Sequence, residues 1–275
     1  MKLAAPPNDG LPIAEVGRWA RDKLKLIEMY VKISAQTRRK YTDRTEATYI
    51  DLWCGSGASK IKGTRDYLLG SPMVAYQASI DSGVPFNRLF VSDLRSDLVD
   101  AAQQRLEQLG ATVHPMVKAA DEAVHEVVAR VNPYGLHFAM LDPFSLDLPF
   151  TVIETLAQLK RVDLLMLLST GDLQRNFRKD YLDPADPRLE RLAPGVRKTV
   201  NLHASVSEEA IRQTVIDYWF SLLKSLKFAT PPQMYRARNS KNVTMYWLVF
   251  ASRSGTATSF WEKAMKYLAQ PDLGF

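Results

Sequence analysis

A short glycine loop is the part of the sequence best suited to bind a ligand. It is Asp51-Leu-Trp-Cys-Gly-Ser-Gly57, which follows a run of apolar residues, so that a strand is predicted to turn sharply there into a helix. Gly55 and Gly57 can adopt positive φ and let the backbone approach a ligand closely. The N-terminal amides of the following helix would point at that ligand. Since an acid such as Asp51 would be needless in a bare turn, we expect the loop to hold a ligand.

Two further acids stand where an adenosyl ligand would be bound. Asp93 ends the next predicted strand, where one carboxylate can accept two hydrogen bonds from a ribose cis-diol. It lies 36 positions after Gly57, against roughly 20 in dinucleotide-binding proteins, and we attribute the excess to an insertion containing Gly70-Ser-Pro72. Asp121 follows the third strand. It either accepts a hydrogen bond from an adenine amino group or interacts favourably with the positive end of its own helix dipole. The predicted cofactor-binding residues are Asp51, Leu52, Gly55, Ser56, Gly57, Asp93, Leu94 and Asp121.

The segment Asp142-Pro-Phe144 follows the fourth predicted strand and should open at the carboxyl edge of the sheet. It is related to the Asp-Pro-Pro-Tyr element of amino-group methyltransferases, with one proline missing. In that element the acid and a backbone carbonyl accept hydrogen bonds from the target nitrogen, while the aromatic ring stacks on a base. Asp142, Pro143 and Phe144 are therefore the predicted catalytic residues. The sequence leaves open a second interpretation, in which Pro143 only ends the strand and Phe144 packs in the core.

The residue types exclude other chemistries. Cys54 is the only cysteine and lies inside the glycine loop, so we do not expect it to be the nucleophile that cytosine-C5 methylation requires. A lone cysteine and four scattered histidines offer no ligand spacing, and no metal site is predicted. Ala58 stands where a third glycine would complete a dinucleotide fingerprint, which disfavours a nicotinamide-dependent reductase.

The elements that must position these residues alternate along the chain. Strands are predicted over 48–53, 89–93, 112–116, 136–141 and 162–168, with helices over 96–109, 119–131 and 150–160 between them. The last two strands, 233–238 and 243–251, are joined too closely for a crossover helix and should be antiparallel. We therefore predict an α/β protein with the Rossmann-like class I methyltransferase fold. This fold is a mostly parallel seven-stranded sheet with a C-terminal antiparallel hairpin and helices on both faces.

The domain organisation follows from the same pattern. Residues 13–36 are predicted as a helix within an N-terminal helical extension over 1–45. Residues 46–275 form the predicted methyltransferase-like domain. Within it, the polar, proline-punctuated stretch around 171–205 is predicted to be an inserted loop or cap, and a long helix over 207–226 resumes the core.

The composition is that of a globular enzyme with a basic surface. Of the 275 residues, 46% are hydrophobic, and the net charge is +6. No apolar run approaches the ~20 residues of a membrane helix, and the N-terminus has no signal-peptide pattern, so a cytoplasmic protein without a membrane partner is expected. Basic clusters with interleaved tyrosines are typical of a nucleic-acid surface, although an ordinary solvated face would look the same. The clusters are Arg38–Lys40, Arg188/Arg191/Arg197/Lys198 and Arg236/Arg238/Lys241, with Tyr41, Tyr181 and Tyr235 among them.

A set of motifs in a fixed order resembles one family, the three-Cys-motif partner proteins (TcmP) of bacteria and phages. The motifs are Trp19 to Tyr30, Asp51–Gly57, Gly70-Ser-Pro72, Asp142-Pro-Phe144, Val162-Asp-Leu-Leu165 and Phe260-Trp-Glu-Lys263. The resemblance implies a class I methyltransferase-like fold. It also implies, as a partner, the three-cysteine protein for which the family is named, which looks like a radical S-adenosylmethionine, iron–sulfur protein. Members often have Ala-Gly-Pro-Gly where this chain has Cys54-Gly-Ser-Gly57.

Taken together, these patterns predict a methyltransferase (EC 2.1.1 class) that uses S-adenosyl-L-methionine. The expected acceptor is an amino group of a nucleic acid, either RNA or DNA. The alternative is a non-catalytic module that keeps the methyltransferase fold in order to bind the three-Cys protein or a nucleic acid.

Overall fold

The computed structural model describes residues 7–231, 234–239 and 242–269 as ten strands and a series of helices around them. The strands are β1 (Ala14–Val16), β2 (Ala47–Asp51), β3 (Ala58–Ile61), β4 (Tyr67–Leu69), β5 (Arg88–Asp93), β6 (Val113–Val117), β7 (Leu136–Leu141), β8 (Val162–Leu168), β9 (Tyr235–Arg238) and β10 (Thr244–Ser252). The helices are α1 (Ala20–Ile33), α2 (Ala35–Thr42), α3 (Ser71–Asp81), α4 (Ser96–Gln108), α5 (Ala120–Arg130), α6 (Phe150–Leu156), α7 (Thr170–Asn176), α8 (Arg188–Leu192), α9 (Val196–Thr199), α10 (Glu208–Ser225) and α11 (Gly255–Ala269). A π-helical turn, Phe177–Tyr181, continues α7.

Seven of the strands form one sheet in the order β6-β5-β2-β7-β8-β10-β9. Neighbours from β6 to β8 pair in parallel. β10 is antiparallel to β8 on one side and to β9 on the other. The predicted fold is therefore confirmed: this is the Rossmann-like class I methyltransferase arrangement with its C-terminal antiparallel hairpin.

Apolar side chains on both faces of the sheet explain why the central strands are almost continuously hydrophobic. Every residue of β2 and β8 is buried. Within β2, Ile50 joins a core cluster with residues of α5, α6 and α10, whereas Tyr49 joins a second cluster with residues of α1, α3 and α11. Successive strand residues point to opposite faces, so a single strand supplies both cores.

The segment after the glycine loop differs from the predicted strand-to-helix turn. A β-hairpin, β3 and β4, follows Gly57 and joins β1 in a separate three-stranded sheet. The prediction of a direct transition from strand to helix was wrong, because α3 begins only at Ser71. The backbone amide of Gly70 donates to the carbonyl of Gly57 at 2.7 Å. After the hairpin the chain thus returns to Gly57, so the start of α3 lies beside the glycine loop.

The N-terminal helix is shorter than predicted and belongs to the main core. Residues 14–16 pair with β3 as strand β1, so the helix predicted over 13–36 begins at Ala20. Leu26, Ile27 and Val31 of α1 are fully buried, and they share a hydrophobic cluster with residues of α3 and α11.

The stretch around 171–205 is largely helical, comprising α7, the π-helical turn, α8 and α9. Its apolar side chains join the core that contains α10. Phe177, Tyr181, Leu189 and Val196 are fully buried. The polar composition seen in the sequence belongs to the outer side of this helical segment.

Parts of two predicted elements lie outside the described residues. These are Gln233, at the predicted start of β9, and Ser240 and Lys241, in the connector before β10. None of the described helices combines the length and the apolar character that crossing a membrane requires.

A substitution at Gly70 tests the close approach of the Gly57 and Gly70 backbones at the two ends of the hairpin. A Cβ at this position would lie 2.8 Å from the Cα of Gly57 and 2.9 Å from its carbonyl carbon. Because both atoms belong to the backbone, we expect Gly70→Ala to lower the free energy of unfolding by about 2–3 kcal/mol, the range of an overpacked core site. Urea denaturation measures the loss. The control is Gly63→Ala in the same hairpin, where φ is +74° but a Cβ meets open space, so that only ~1 kcal/mol should be lost. Equal losses in the two variants would contradict the close approach.

Candidate functional site

A pocket of about 350 Å³ opens at the carboxyl edge of the central sheet. The glycine loop forms one wall, and the start of α3 lies beside it. Residues from β1, α1, α7, β10 and the ends of β7 and β8 contribute the other walls. The structure therefore places the glycine loop and the segment Asp142–Phe144, 85 residues further along the chain, in one pocket. The lining residues used below are Lys23, Gly55, Ser56, Gly57, Gly70, Ser71, Asp142, Pro143, Phe144 and Arg175.

The two glycines of the loop have different roles. Both adopt positive φ, +56° at Gly55 and +77° at Gly57, a region that L side chains rarely occupy. A Cβ on Gly55 would meet no atom within 4 Å, whereas one on Gly57 would lie 3.3 Å from the side chain of Met73. Gly55 therefore faces open space, and Gly57 permits close packing behind the loop.

Asp93 lies at the end of β5 with its side chain directed toward the glycine loop. One carboxylate oxygen accepts a hydrogen bond from the backbone amide of Gly55 at 3.3 Å. The other accepts from the amide of Arg95 at 3.2 Å. An ionised carboxylate has about four acceptor positions, so two remain open. Asp93 itself does not line the pocket, and its role with a ribose diol stays a prediction. The adjacent Leu94 is exposed, at 73%, and offers an apolar surface beside the acid.

Asp51 is buried beneath the loop, at the end of β2. Its carboxylate accepts hydrogen bonds from the Tyr49 hydroxyl at 3.2 Å and from the Trp53 amide at 3.4 Å. Burial raises the pKa of Asp51 to about 7, and the nearby Asp142 contributes to the rise. Hydrogen bonds from Ser71 and Trp53 and the charge of Lys23 oppose the rise. Asp51 is thus a carboxyl group that changes its ionisation near neutral pH.

Of the other predicted loop residues, Leu52 and Ser56 are both buried. The Leu52 side chain belongs to the core cluster on the opposite side of the strand end. The Ser56 hydroxyl donates to the carbonyl of Ala58 at 2.9 Å, and the Ser56 carbonyl accepts from the guanidinium of Arg105 at 2.5 Å. Ser56 therefore stabilises the loop, with its backbone held by a buried arginine.

The segment Asp142–Phe144 presents an acid and an aromatic ring to the pocket. The Asp142 carboxylate forms an ion pair with the ammonium group of Lys23. Pro143 is buried. Phe144 is 89% exposed, so the interpretation in which its ring packs in the core is wrong. A large apolar ring left in solvent at the rim of a pocket is free to contact a ligand.

Asp121 lies in the first turn of α5 and does not line the pocket. Its carboxylate is 3.5 Å from the guanidinium of Arg191, which also contacts Asp147 at 3.1 Å. The adenine-binding role of Asp121 stays a prediction.

Sequence reasoning missed Lys23 and Ser71. Lys23 is one of several basic residues on α1, and nothing in its spacing separates it from Arg21 or Lys25. Its contact with Asp142 joins residues 119 positions apart. Ser71 had a local signal, because Gly70-Ser-Pro72 is typical of a helix start.

Cys54 is held inside the loop, as the sequence suggested. The side chain is buried, and its thiol donates to the carbonyl of Gly55 at 3.3 Å. Burial raises the pKa of this thiol well above its usual value, and the nearby Asp51 and Asp93 raise it further. A thiol in this environment stays protonated and is a poor nucleophile. Among the described residues, no three His, Cys, Asp or Glu side chains are placed to hold a metal ion.

The basic clusters of the sequence are partly exposed and partly engaged within the fold. The exposed members are Arg39, Lys40, Arg191, Lys198, Arg236 and Arg238. Arg38 is only 1% exposed. Arg188 pairs with Asp186 at 2.5 Å and Asp180 at 3.3 Å, while Arg197 donates to four backbone carbonyls. Tyr181 is buried, and the Tyr235 hydroxyl donates to Asp22. The engaged residues stabilise the fold, and a nucleic-acid surface formed by the exposed cations stays a prediction.

Comparisons with known proteins show the fold. No protein-family model matches the chain, and no curated protein matches it either. Among solved structures, protein LPL1258 from Legionella pneumophila, of family DUF519, is 12% identical, with 92% of each chain covered and a TM-score of 0.56. Trm1 from Pyrococcus horikoshii, solved with S-adenosyl-L-methionine, is 10% identical over 96% of this chain and 62% of that chain, with a TM-score of 0.46. The O-methyltransferase from Bacillus cereus, in complex with SAH, is 10% identical over 88% of this chain and 84% of that chain, with a TM-score of 0.44. The first likeness shows a shared fold, and membership of the TcmP family stays a prediction.

The raised pKa of Asp51 predicts a specific pH dependence of stability. A native pKa of about 7, against 3.8 for the ordinary group, means that the folded protein holds a proton which the unfolded chain releases. Stability is therefore lost as the pH rises through 7. Between pH 5 and pH 8 the wild type should lose free energy of unfolding that Asp51→Asn keeps. The stability of the variant relative to the wild type should therefore be about 2–3 kcal/mol higher at pH 8 than at pH 5. Urea unfolding at the two pH values measures this gain.

The exposed Asp100 on α4 supplies the matched control, because Asp100→Asn removes a carboxylate that is not buried. An Asp51→Asn variant whose stability follows the wild type at both pH values would show that the buried carboxyl group does not titrate near neutrality.

Proposed function

We propose that this protein is an S-adenosylmethionine-dependent methyltransferase that acts on an amino group of a nucleic-acid base. The observation that carries the proposal is the pocket itself, in which the glycine loop and the Asp142–Phe144 segment meet. A cofactor site and an acceptor site must adjoin for direct transfer, and the meeting of these two segments in one pocket supports that arrangement.

The residues of the loop fit an adenosyl cofactor. The open space at Gly55 admits a ligand against the backbone. The two free acceptor positions of Asp93 suit the ribose hydroxyls. Asp51 lies beneath the loop, and a cationic ligand nearby would favour its ionised form. S-Adenosylmethionine supplies an already activated methyl group on a sulfonium, so the protein needs only to align a nucleophile and accept a proton.

Asp142 is suited to hold the acceptor. Its ion pair with Lys23 fixes the carboxylate in the pocket, and the remaining lone pairs can accept hydrogen bonds from an amino group. This contact orients the nitrogen lone pair toward the methyl group. The proton that the nitrogen releases after it gains the methyl group has an acceptor in the same carboxylate.

Phe144 and its surroundings favour a planar acceptor. The exposed ring at the rim can stack on a base, a contact worth roughly 1–3 kcal/mol. Arg175, also exposed, lines the same pocket and can pair with a phosphate. Cytosine-C5 chemistry is disfavoured, because the only cysteine is a buried thiol with a raised pKa.

Cofactor binding is the first test. Calorimetry should detect a 1:1 complex with S-adenosylhomocysteine, and Asp93→Ala should weaken it by at least tenfold, because two hydrogen bonds to a charged acceptor are lost. The matched variant Asp100→Ala removes an exposed acid from the neighbouring helix and should bind as the wild type does. Equal affinity of Asp93→Ala and the wild type would remove Asp93 from the site, and no binding at all would refute the proposed cofactor.

Methyl transfer is the second test. Tritium-labelled S-adenosylmethionine should label total RNA or genomic DNA, and Phe144→Ala should lower kcat/KM for the acceptor by roughly 5- to 150-fold, as expected for one lost stacking contact. Phe144→Trp keeps a stacking surface and should retain most activity. Tyr267→Ala removes another exposed ring, 56% accessible on α11, and should have no effect.

The outcomes separate the candidate functions. Labelling of protein alone, or indifference to Phe144→Ala, would contradict the proposed acceptor. Cofactor binding without transfer to any acceptor would favour the non-catalytic partner module. Co-purification with a three-Cys protein would then support the proposed link to the TcmP family.

A further inference from the structure

A second pocket, of about 340 Å³, lies at the opposite edge of the sheet. Leu136 and Val162, which line it, are the first residues of β7 and β8. Ser252 is the last residue of the antiparallel β10 and pairs with Asp163 at the same edge. The glycine loop follows the other ends of these strands. This amino-edge pocket is therefore separate from the proposed methyltransferase site and shares no lining residue with it.

Four cations line the amino-edge pocket: Arg38, Lys160, Arg161 and Arg253. Within the described residues, none of the four forms an ion pair with an acid. The guanidinium groups donate to backbone carbonyls instead, as Arg253 does to Leu226 at 2.9 Å and Arg161 does to Tyr134 at 3.1 Å. Carbonyls carry only partial charges, so the positive charge of this pocket is not balanced by the surrounding protein.

Asp163 is the one acid that lines the amino-edge pocket, and it is already engaged. It accepts hydrogen bonds from the Tyr30 hydroxyl and the Ser252 hydroxyl, both at 2.6 Å. Burial raises the pKa of this carboxyl group, and the two hydrogen bonds lower it. One acid faces four cations, so positive charge exceeds negative charge in this pocket even when Asp163 is ionised.

Aromatic rings form the apolar walls of this pocket. They belong to Tyr30, Tyr41, Phe86, Phe138 and Phe260. Two of the cations lie against these rings, with the Arg38 guanidinium 4.8 Å from the centre of the Phe86 ring and the Arg161 guanidinium 5.5 Å from that of Tyr41. A ligand that fills the pocket would therefore contact aromatic surfaces together with guanidinium and ammonium groups.

We propose that the amino-edge pocket binds a small phosphorylated aromatic molecule of the nucleoside monophosphate class. A phosphate monoester carries close to two negative charges at pH 7, which the unpaired cations can balance through charge-assisted hydrogen bonds. The aromatic walls suit a planar base. The volume, about 340 Å³, is at the lower end for small-molecule sites and suits one such ligand. This site goes beyond the proposed methyl transfer and does not depend on it.

Calorimetry with the four ribonucleoside 5′-monophosphates, each compared with its own nucleoside, tests the proposal. Saturating S-adenosylhomocysteine is present throughout, so that the carboxyl-edge pocket does not contribute. At least one monophosphate should bind at least tenfold more tightly than its nucleoside, since the phosphate supplies the charged contacts. The double variant Lys160→Gln/Arg161→Gln should abolish this preference. Both side chains are exposed, so the fold should be retained, and circular dichroism checks this.

The matched control is Lys62→Gln/Arg65→Gln, which removes two exposed cations from the β3–β4 hairpin, outside both pockets. The control should keep the wild-type preference. Failure of every monophosphate to bind, equal affinity of monophosphate and nucleoside, or an equal loss in the control would each overturn the proposal. None of these results would bear on methyl transfer, because S-adenosylhomocysteine binding and acceptor labelling are measured separately.

Discussion

The close approach of two glycines, Gly57 and Gly70, holds the carboxyl-edge site together. Their backbones are joined by a 2.7 Å hydrogen bond, at a separation that leaves no room for a Cβ on Gly70. The hairpin between them therefore begins and ends at the same place in the structure. Helix α3 consequently begins beside the glycine loop, and its Ser71 reaches the buried Asp51. Without that contact, an insertion of this length would separate the helix from the loop that it serves.

Charge is distributed unevenly across the sheet, and this difference separates the two pockets. At the carboxyl edge acids and cations are both present: Asp51 and Asp93 are buried, Asp142 pairs with Lys23, and Arg175 lines the same pocket. Backbone amides donate hydrogen bonds to Asp51 and Asp93, and the ammonium group of Lys23 pairs with Asp142. At the amino edge the unpaired cations dominate. The two edges of the sheet therefore differ in the balance of acids and cations around their pockets.

Helix α1 connects the two edges. Lys23 lines the carboxyl-edge pocket and Tyr30 lines the amino-edge pocket. Residues seven apart on a helix lie on nearly the same face, about 10 Å from each other. The buried side chains of α1 pack in the same hydrophobic cluster as residues of the central strands, so this helix is an integral wall of both sites.

The sequence by itself determined the main sheet, the glycine loop and the position of Asp142, because each is encoded locally. Continuous apolar runs define buried strands, so the strand predicted over 136–141 coincides with β7. Acids and glycines directly after such runs must lie at the carboxyl edge. Only the tertiary structure decided the rest. The hairpin was not predicted, because its short strands have no clear alternation of apolar and polar residues. The pairing of Lys23 with Asp142, the exposure of Phe144 and the burial of Arg38 also became visible only in the folded chain. These features depend on contacts between distant segments, as in the amino-edge pocket, where residues from Tyr30 to Phe260 meet. The hydrophobic periodicity of a segment does not indicate which distant side chains that segment will contact.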